Sequence, residues 1–287
     1  MTYSQWYELY IQLYKKKLAE KTRESYKRLY ELVAPVLGAK KLTAITPDDI
    51  QTAILTAEVN SGSRQAQLVY TQLHAVFRRA VRSKHLKENP VDAIDKPEHV
   101  SKQGRALEGK DWNILQPVIN QNAAYALMCY AGLRRGETLG LRRADVDLEE
   151  GIIRVCRQRV RVGGKIVTSE PKSSAGIRIV PIAPELIPIL SNAMRSLLPN
   201  AYIVPIAPET LEHRWKRDQQ NAGIMQPYRL HDLRHTYATR LVLDGINLRV
   251  LQYVIGHADY QLTLSTYTHI NASDAKTELL RVYTTLH

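Results

Sequence analysis

His231-Asp232-Leu233-Arg234-His235-Thr236, followed by Gly256-His257 and then Tyr267, is the part of this chain from which its architecture can be worked outward. Placed on a helix, His231 and Arg234 are three positions apart and share a face, so they can address one anion together. Standing alone, the pair reads equally well as a buried histidine beside a surface arginine. His231 and His235 also have the i,i+4 spacing of a zinc pair. The glutamate of a His-Glu-x-x-His motif is missing, however, and no third ligand follows at a suitable distance, so no metal site is expected. Two imidazoles, a guanidinium and a late phenol suit phosphoryl transfer to a tyrosine, on a polyanion such as DNA.

Composition agrees with a polyanionic partner. The 287 residues carry 40 Lys plus Arg against 28 Asp plus Glu, a formal net charge of +12. That balance favours nucleic acid or an anionic surface and specifies neither. A chain of this length ordinarily makes two domains. No apolar run approaches the length of a membrane span, and the start, Met1-Thr2-Tyr3-Ser4-Gln5-Trp6, has no signal-peptide core. The two cysteines, Cys129 and Cys156, form no disulfide framework or metal spacing, fit a reducing cytoplasm and read as core residues.

Three segments are expected: a helical domain over residues 1–94, a polar linker over 95–104, and a mixed domain over 105–287. Apolar and aromatic positions recur over 6–18 and 26–36, and a longer helix is predicted over 64–83. Thr46-Pro47-Asp48-Asp49 announces a helix, with Thr46 as cap and Asp49 where a capping box wants a carboxylate. Asn89-Pro90 closes the domain. In the second domain, residues 123–131 form an apolar helix that stops at Gly132, and Gly136 opens a short one. Residues 152–162 and 177–182 have strand character. Helices are predicted over 209–221 and 231–243, then another capped by Asn247 and closed by Gly256, and a last one over 273–280.

Arg134 follows a helix break, where the scaffold can hold its planar fork toward a phosphate; Arg135 competes with it, and Glu137 can orient either. Arg157, Arg159 and Arg161 alternate along a strand and can meet DNA phosphates from one face, or can simply be solvated. Lys172 lies in a polar turn that can carry an ammonium to a reacting phosphate, with Lys165 as rival. Tyr267 is one of 16 tyrosines, with Tyr260 its main competitor; Tyr253 reads as a core aromatic. An unperturbed phenol has a pKa of about 10, and neighbouring arginines favour its ionised form.

Taken in order, these motifs resemble the tyrosine recombinases, the phage-integrase and Xer-like group. The run from Ala131-Gly132-Leu133-Arg134 to Leu141 is similar to the family's first box and assigns its arginine to Arg134. Pro171-Lys172-Ser173-Ser174 with Arg178-Ile179-Val180-Pro181 is similar to the hairpin that carries the lysine. His231-Asp232-Leu233-Arg234-His235-Thr236 resembles the second box, Ile255-Gly256-His257 the third histidine site, and Tyr267-Thr268-His269 the nucleophile motif.

The resemblance implies an all-α SAM-like core-site-binding domain, joined to a mainly helical α+β catalytic domain with a small antiparallel sheet. It implies Arg134, Lys172, His231, Arg234, His257 and Tyr267 as catalytic residues, with Glu137 supporting, and no metal, nucleotide or other cofactor. The partners implied are double-stranded DNA, gripped by a C-shaped clamp, four protomers on two duplexes, and an accessory DNA-bending or directionality protein. Integration or excision of a mobile element is the expected role. Xer-like dimer resolution, a type IB-like topoisomerase and a non-catalytic DNA-binding protein are the alternatives. Many phage integrases carry an arm-site-binding domain before the segment that corresponds to residue 1, so either core sites alone are recognised or the chain is a shortened form.

Overall fold

Thr46 fixes where one helix begins. Its hydroxyl accepts the Asp49 amide at 3.2 Å while the Asp49 carboxylate accepts the Thr46 amide at 3.1 Å, so two otherwise unpaired donors are satisfied reciprocally. The computed structural model describes residues 1–100, 104–171 and 176–256. The chain divides into two compact units, Met1–Lys102 and Gln103–His287.

The first unit contains α1 (Tyr3–Tyr14), α2 (Glu20–Leu37), α3 (Pro47–Ser61) and α4 (Ser63–Arg82), followed by a 3-10 turn at Pro90–Ala93 that Asn89 caps. In α3, Ile50, Ala53, Ile54 and Ala57 recur at helical spacing and are buried. They meet Leu29, Val33 and Leu37 of α2 and Val69, Leu73, Val76 and Phe77 of α4 in one core. Trp6 is fully buried there, its indole donating to the Val76 carbonyl at 3.2 Å.

The second unit contains α5 (Gly109–Asn120), α6 (Ala123–Tyr130), α7 (Arg135–Gly140), β1 (Val146–Asp147), β2 (Ile152–Val155), β3 (Gln158–Val162), β4 (Lys165–Ser169), β5 (Arg178–Pro181), α8 (Leu186–Met194), α9 (Pro208–Asn221), α10 (Leu230–Leu243) and α11 (Leu248–Ile255). Strands β1, β2 and β5 form an antiparallel sheet in the order β1-β2-β5. Strands β3 and β4 form a separate hairpin, turned by Gly163 and Gly164, both at positive φ. Helix α6 is buried along nearly its whole length, within the core that also takes Trp215 of α9 and Leu233 of α10. No helix among the described residues is long and apolar enough to cross a membrane.

Several expectations need correction. The predicted strand over 152–162 is two strands in different sheets, because Arg157 turns aside at the break to pair with Asp145. Cys129 is buried, but Cys156 is half-buried with its thiol against the Asp145 carboxylate at 3.7 Å. Tyr253 is 55% exposed rather than core, and its hydroxyl accepts the Ile179 amide at 3.3 Å. Helices α5 and α8 had no sequence counterpart. The helix expected over 273–280 lies outside the described residues.

Candidate active site

The site is built where four helix ends converge. Helix α6 stops at Gly132, whose φ of +62° lies in the left-handed region; a Cβ there would overlap the ring of Tyr237. The chain then turns through Leu133 and Arg134 into α7. Glu137 sits in the first turn of α7 and caps it, accepting the Arg134 amide at 2.8 Å on Oε2.

The same carboxylate gathers arginines from separate segments. Arg134 Nη1 donates to Glu137 Oε1 at 2.7 Å. Arg178 of β5 donates from Nη2 to Oε2 at 3.0 Å and from Nη1 to Oε1 at 3.2 Å. Arg234 Nη1 lies 4.0 Å from Oε2. Glu137 is only 3% exposed, and burial alone would raise its pKa. The Arg178, Arg134 and Arg234 guanidiniums reverse that and hold it at about 2.

The C-terminus of α11 completes the arrangement. Its last carbonyls lack intrahelical partners and form the negative end of the helix dipole. Arg178 Nε donates to the Val254 carbonyl at 2.7 Å, Arg234 Nη2 to that of Ile255, and Arg134 Nη2 to that of Gly256 at 2.5 Å. Three consecutive carbonyls thus take three arginines. Arg234, fully buried, also donates to the Gly132 carbonyl at 2.5 Å, tying α10 to the α6–α7 turn.

His231 stands one turn before Arg234 at the start of α10, exposed to solvent. Burial of its inner edge, then the Arg234 and Arg134 guanidiniums, lower its pKa to about 4. Asp232 caps α10 by accepting the Arg229 amide at 2.8 Å, and its carboxylate pairs with the Arg229 guanidinium.

The structure therefore brings together Arg134, Glu137, His231 and Arg234 from the sequence-based set. Lys172, His257 and Tyr267 lie outside the described residues. Arg135 faces away, paired with Glu212 of α9, and Lys165 is exposed on β4. Arg157, Arg159 and Arg161 do not present one common free face. Arg157 pairs with Asp145, Arg159 stacks on Tyr202 with its guanidinium carbon 4.3 Å from the ring centre, and Arg161 pairs with Glu209 at 2.9 Å. Arg178 was read only as part of a strand motif. Its signal was parity: on β5 it shares the inward face with buried Val180, while Ile179 points out.

A helical unit ahead of a mainly helical unit with small antiparallel sheets, and paired arginines set beside a histidine, define the tyrosine recombinase class. Comparison with known proteins makes this specific. The family model described as "Phage integrase family" matches residues 114–274, and that of the phage integrase N-terminal SAM-like domain matches residues 2–55. The chain belongs to the phage integrase family, and it is a site-specific DNA recombinase.

Among its relatives, a prophage phiRv2 integrase of Mycobacterium tuberculosis is 28% identical over 84% of this chain and 68% of its own length. The tyrosine recombinase XerC of Alcanivorax borkumensis is 26% identical over 89% of this chain and 85% of its own. The same fold occurs in the Tn1549 transposon integrase in complex with a circular intermediate DNA. That structure has a TM-score of 0.84 and 22% identity, over 98% of this chain and 99% of that one. A lambda integrase tetramer bound to a Holliday junction gives a TM-score of 0.70 and 17% identity, over 94% of this chain and 80% of that one.

Proposed function

We propose that this chain cuts and rejoins DNA through a 3′-phosphotyrosine link formed by Tyr267, in the integration or excision of a mobile element. The observation that carries the reading is the Arg134–Glu137–Arg234 cluster beside His231: three guanidiniums, with Arg178, around one buried carboxylate. Such a cationic site is suited to an anion, and a scissile phosphodiester supplies one.

In the step proposed, the Tyr267 oxygen attacks phosphorus in line. The new phosphorus–tyrosine bond forms as the bond to the 5′-oxygen breaks, so no water is consumed and the phosphodiester is conserved. Neutral His231 takes the phenolic proton. Lys172 donates a proton to the departing 5′-oxygen. Arg134, and Arg234 on exchanging its present carbonyl partners, counter the charge that grows on the non-bridging oxygens, where a single electrostatic donor is worth roughly 100- to 1,000-fold in rate. His257 donates to a phosphate oxygen. A 5′-hydroxyl from another strand reverses the sequence and completes exchange.

The same reading places four protomers on two duplexes, an accessory DNA-bending or directionality protein beside them, and the whole in the cytoplasm with the DNA. Arg157, Arg159 and Arg161 would reach DNA phosphates only by exchanging their present partners. The Xer-type relatives support a second reading, resolution of chromosome or plasmid dimers by the same chemistry. The test is covalent capture on nicked duplexes drawn from the DNA flanking the gene, with the attached residue mapped. Wild type should become linked through Tyr267, and Tyr267→Phe should lose capture while its DNA affinity stays within about threefold, since backbone contacts dominate binding. Binding without capture by wild type would instead favour a non-catalytic DNA-binding protein. Two marked duplexes that relax but never exchange strands would favour a topoisomerase.

A further inference from the structure

Arg178 has no part in the chemistry proposed above, yet its guanidinium beside Glu137 is wholly committed within the protein. It is 4% exposed as a residue, with its side chain at 0%. Each of its nitrogens is used inside the protein: Nε on the Val254 carbonyl, Nη1 on Glu137 Oε1 and on the Gly176 carbonyl at 3.2 Å, and Nη2 on Glu137 Oε2. It therefore presents no donor to DNA.

One group it grips, the Glu137 carboxylate, also holds Arg134, and another, the Val254 carbonyl, lies two residues before the Gly256 carbonyl that holds Arg134. The Arg134 guanidinium rests on Glu137 Oε1 through Nη1 and on the Gly256 carbonyl through Nη2. Arg178 takes both oxygens of that carboxylate, which fixes its plane. It also takes a carbonyl of the helical turn that ends at Gly256. Arg134 itself keeps 37% of its side chain open, so it can meet a phosphate while its far side is held.

We propose that Arg178 is a positioning residue, which aims the Arg134 guanidinium at the scissile phosphate by fixing the Glu137 carboxylate on which Arg134 rests and bracing the helix end whose Gly256 carbonyl also holds it. The assignment depends on the strand-transfer reading above. It also explains why a cation sits beside Val180 on the inward face of β5: a hydrocarbon there would leave the Glu137 carboxylate without the fork that spans both of its oxygens. Lysine would keep the charge and lose the fork, because one ammonium cannot span both carboxylate oxygens and the Val254 carbonyl in one plane.

The test compares single-turnover covalent capture by the full chain, wild type, R178Q and R178K. The probe is a nicked duplex bearing the site that wild type cuts. The scissile position carries either the natural phosphate or an uncharged methylphosphonate, in which a methyl group replaces one non-bridging oxygen and lessens the need for a cation there. On the phosphate, R178Q should slow capture about 100-fold, the scale of a one-ångström misplacement of a catalytic group. R178K should slow it about tenfold. DNA affinity should stay within about threefold of wild type, because many other cations supply it. On the methylphosphonate, both variants should come within about fivefold of wild type.

A role confined to folding would depress both substrates equally, and that result overturns the proposal. So does a rate on the phosphate within threefold of wild type. If R178Q does not melt cooperatively, R178K, with the charge retained, carries the same comparison. Absence of capture by wild type on either duplex would reject the strand-transfer reading itself, and this role with it.

Discussion

His231 shows how one side chain's surroundings set its chemistry. Burial and two neighbouring guanidiniums hold its pKa well below the ordinary 6.5, at about 4. The depressed group is a base, so the folded protein favours the neutral imidazole and charges it only as pH falls toward 4. Stability contributed by keeping it neutral is present above about pH 6.5 and is lost below that, where an unfolded chain would bind the proton. A neutral ring is the form that can accept the Tyr267 proton. The kcat/KM for capture, which reports groups of the free protein, should stay flat from about pH 8 down to pH 6. A half-maximal fall near 6.5 in a pH–rate profile would show an unperturbed histidine and remove the depressed base from the mechanism.

Among the elements, the α6–α7 turn carries the sharpest demand on sequence. Gly132 holds a left-handed backbone and lies under the Tyr237 ring, and its carbonyl receives Arg234. Gly132→Ala should cost about 2–4 kcal/mol, from the left-handed strain plus the displacement of the ring. It should slow capture as well, because the Arg234 contact moves with the turn. Denaturant titration beside single-turnover kinetics checks both; an unchanged midpoint would refute the packing described for this turn.

The turn was readable because its signal is local: an apolar run, a glycine, a cation, and a carboxylate three residues on. The Thr46 capping box was readable for the same reason. What escaped reading is set by distant partners. The break between β2 and β3 depends on Arg157 finding Asp145, and the place of Arg178 depends on Glu137, 41 residues away. Helix α5 escaped because Pro117 interrupts its pattern, and burial of Leu115 and Ile119 overrides that local penalty.

Among the described residues, the core around Trp6 lies in the first unit, and the core around Trp215, with a smaller cluster of Ala238, Leu251, Val254 and Ile255, lies in the second. Each unit should therefore unfold as its own cooperative transition. Trp6→Ala removes a fully buried indole and should cost about 3–5 kcal/mol in the first unit alone. Calorimetry should show one transition moved down and the other in place, and DNA affinity should fall if the SAM-like unit carries site contacts. A common shift of both transitions would mean that the units melt together. The charge excess belongs to this scale too, and predicts that affinity falls steeply with salt.

In the sequence His257 follows the last turn of α11, and three arginines are bound to the carbonyls of that turn. Two of them are proposed to greet the substrate, so architecture and chemistry are vested in the same atoms. A genetic selection for inactive alleles would recover changes at Arg134, Arg178 and Arg234 alike, and phenotype alone would not separate a misshapen protein from an intact but idle one. Protein abundance in each mutant strain would sort them.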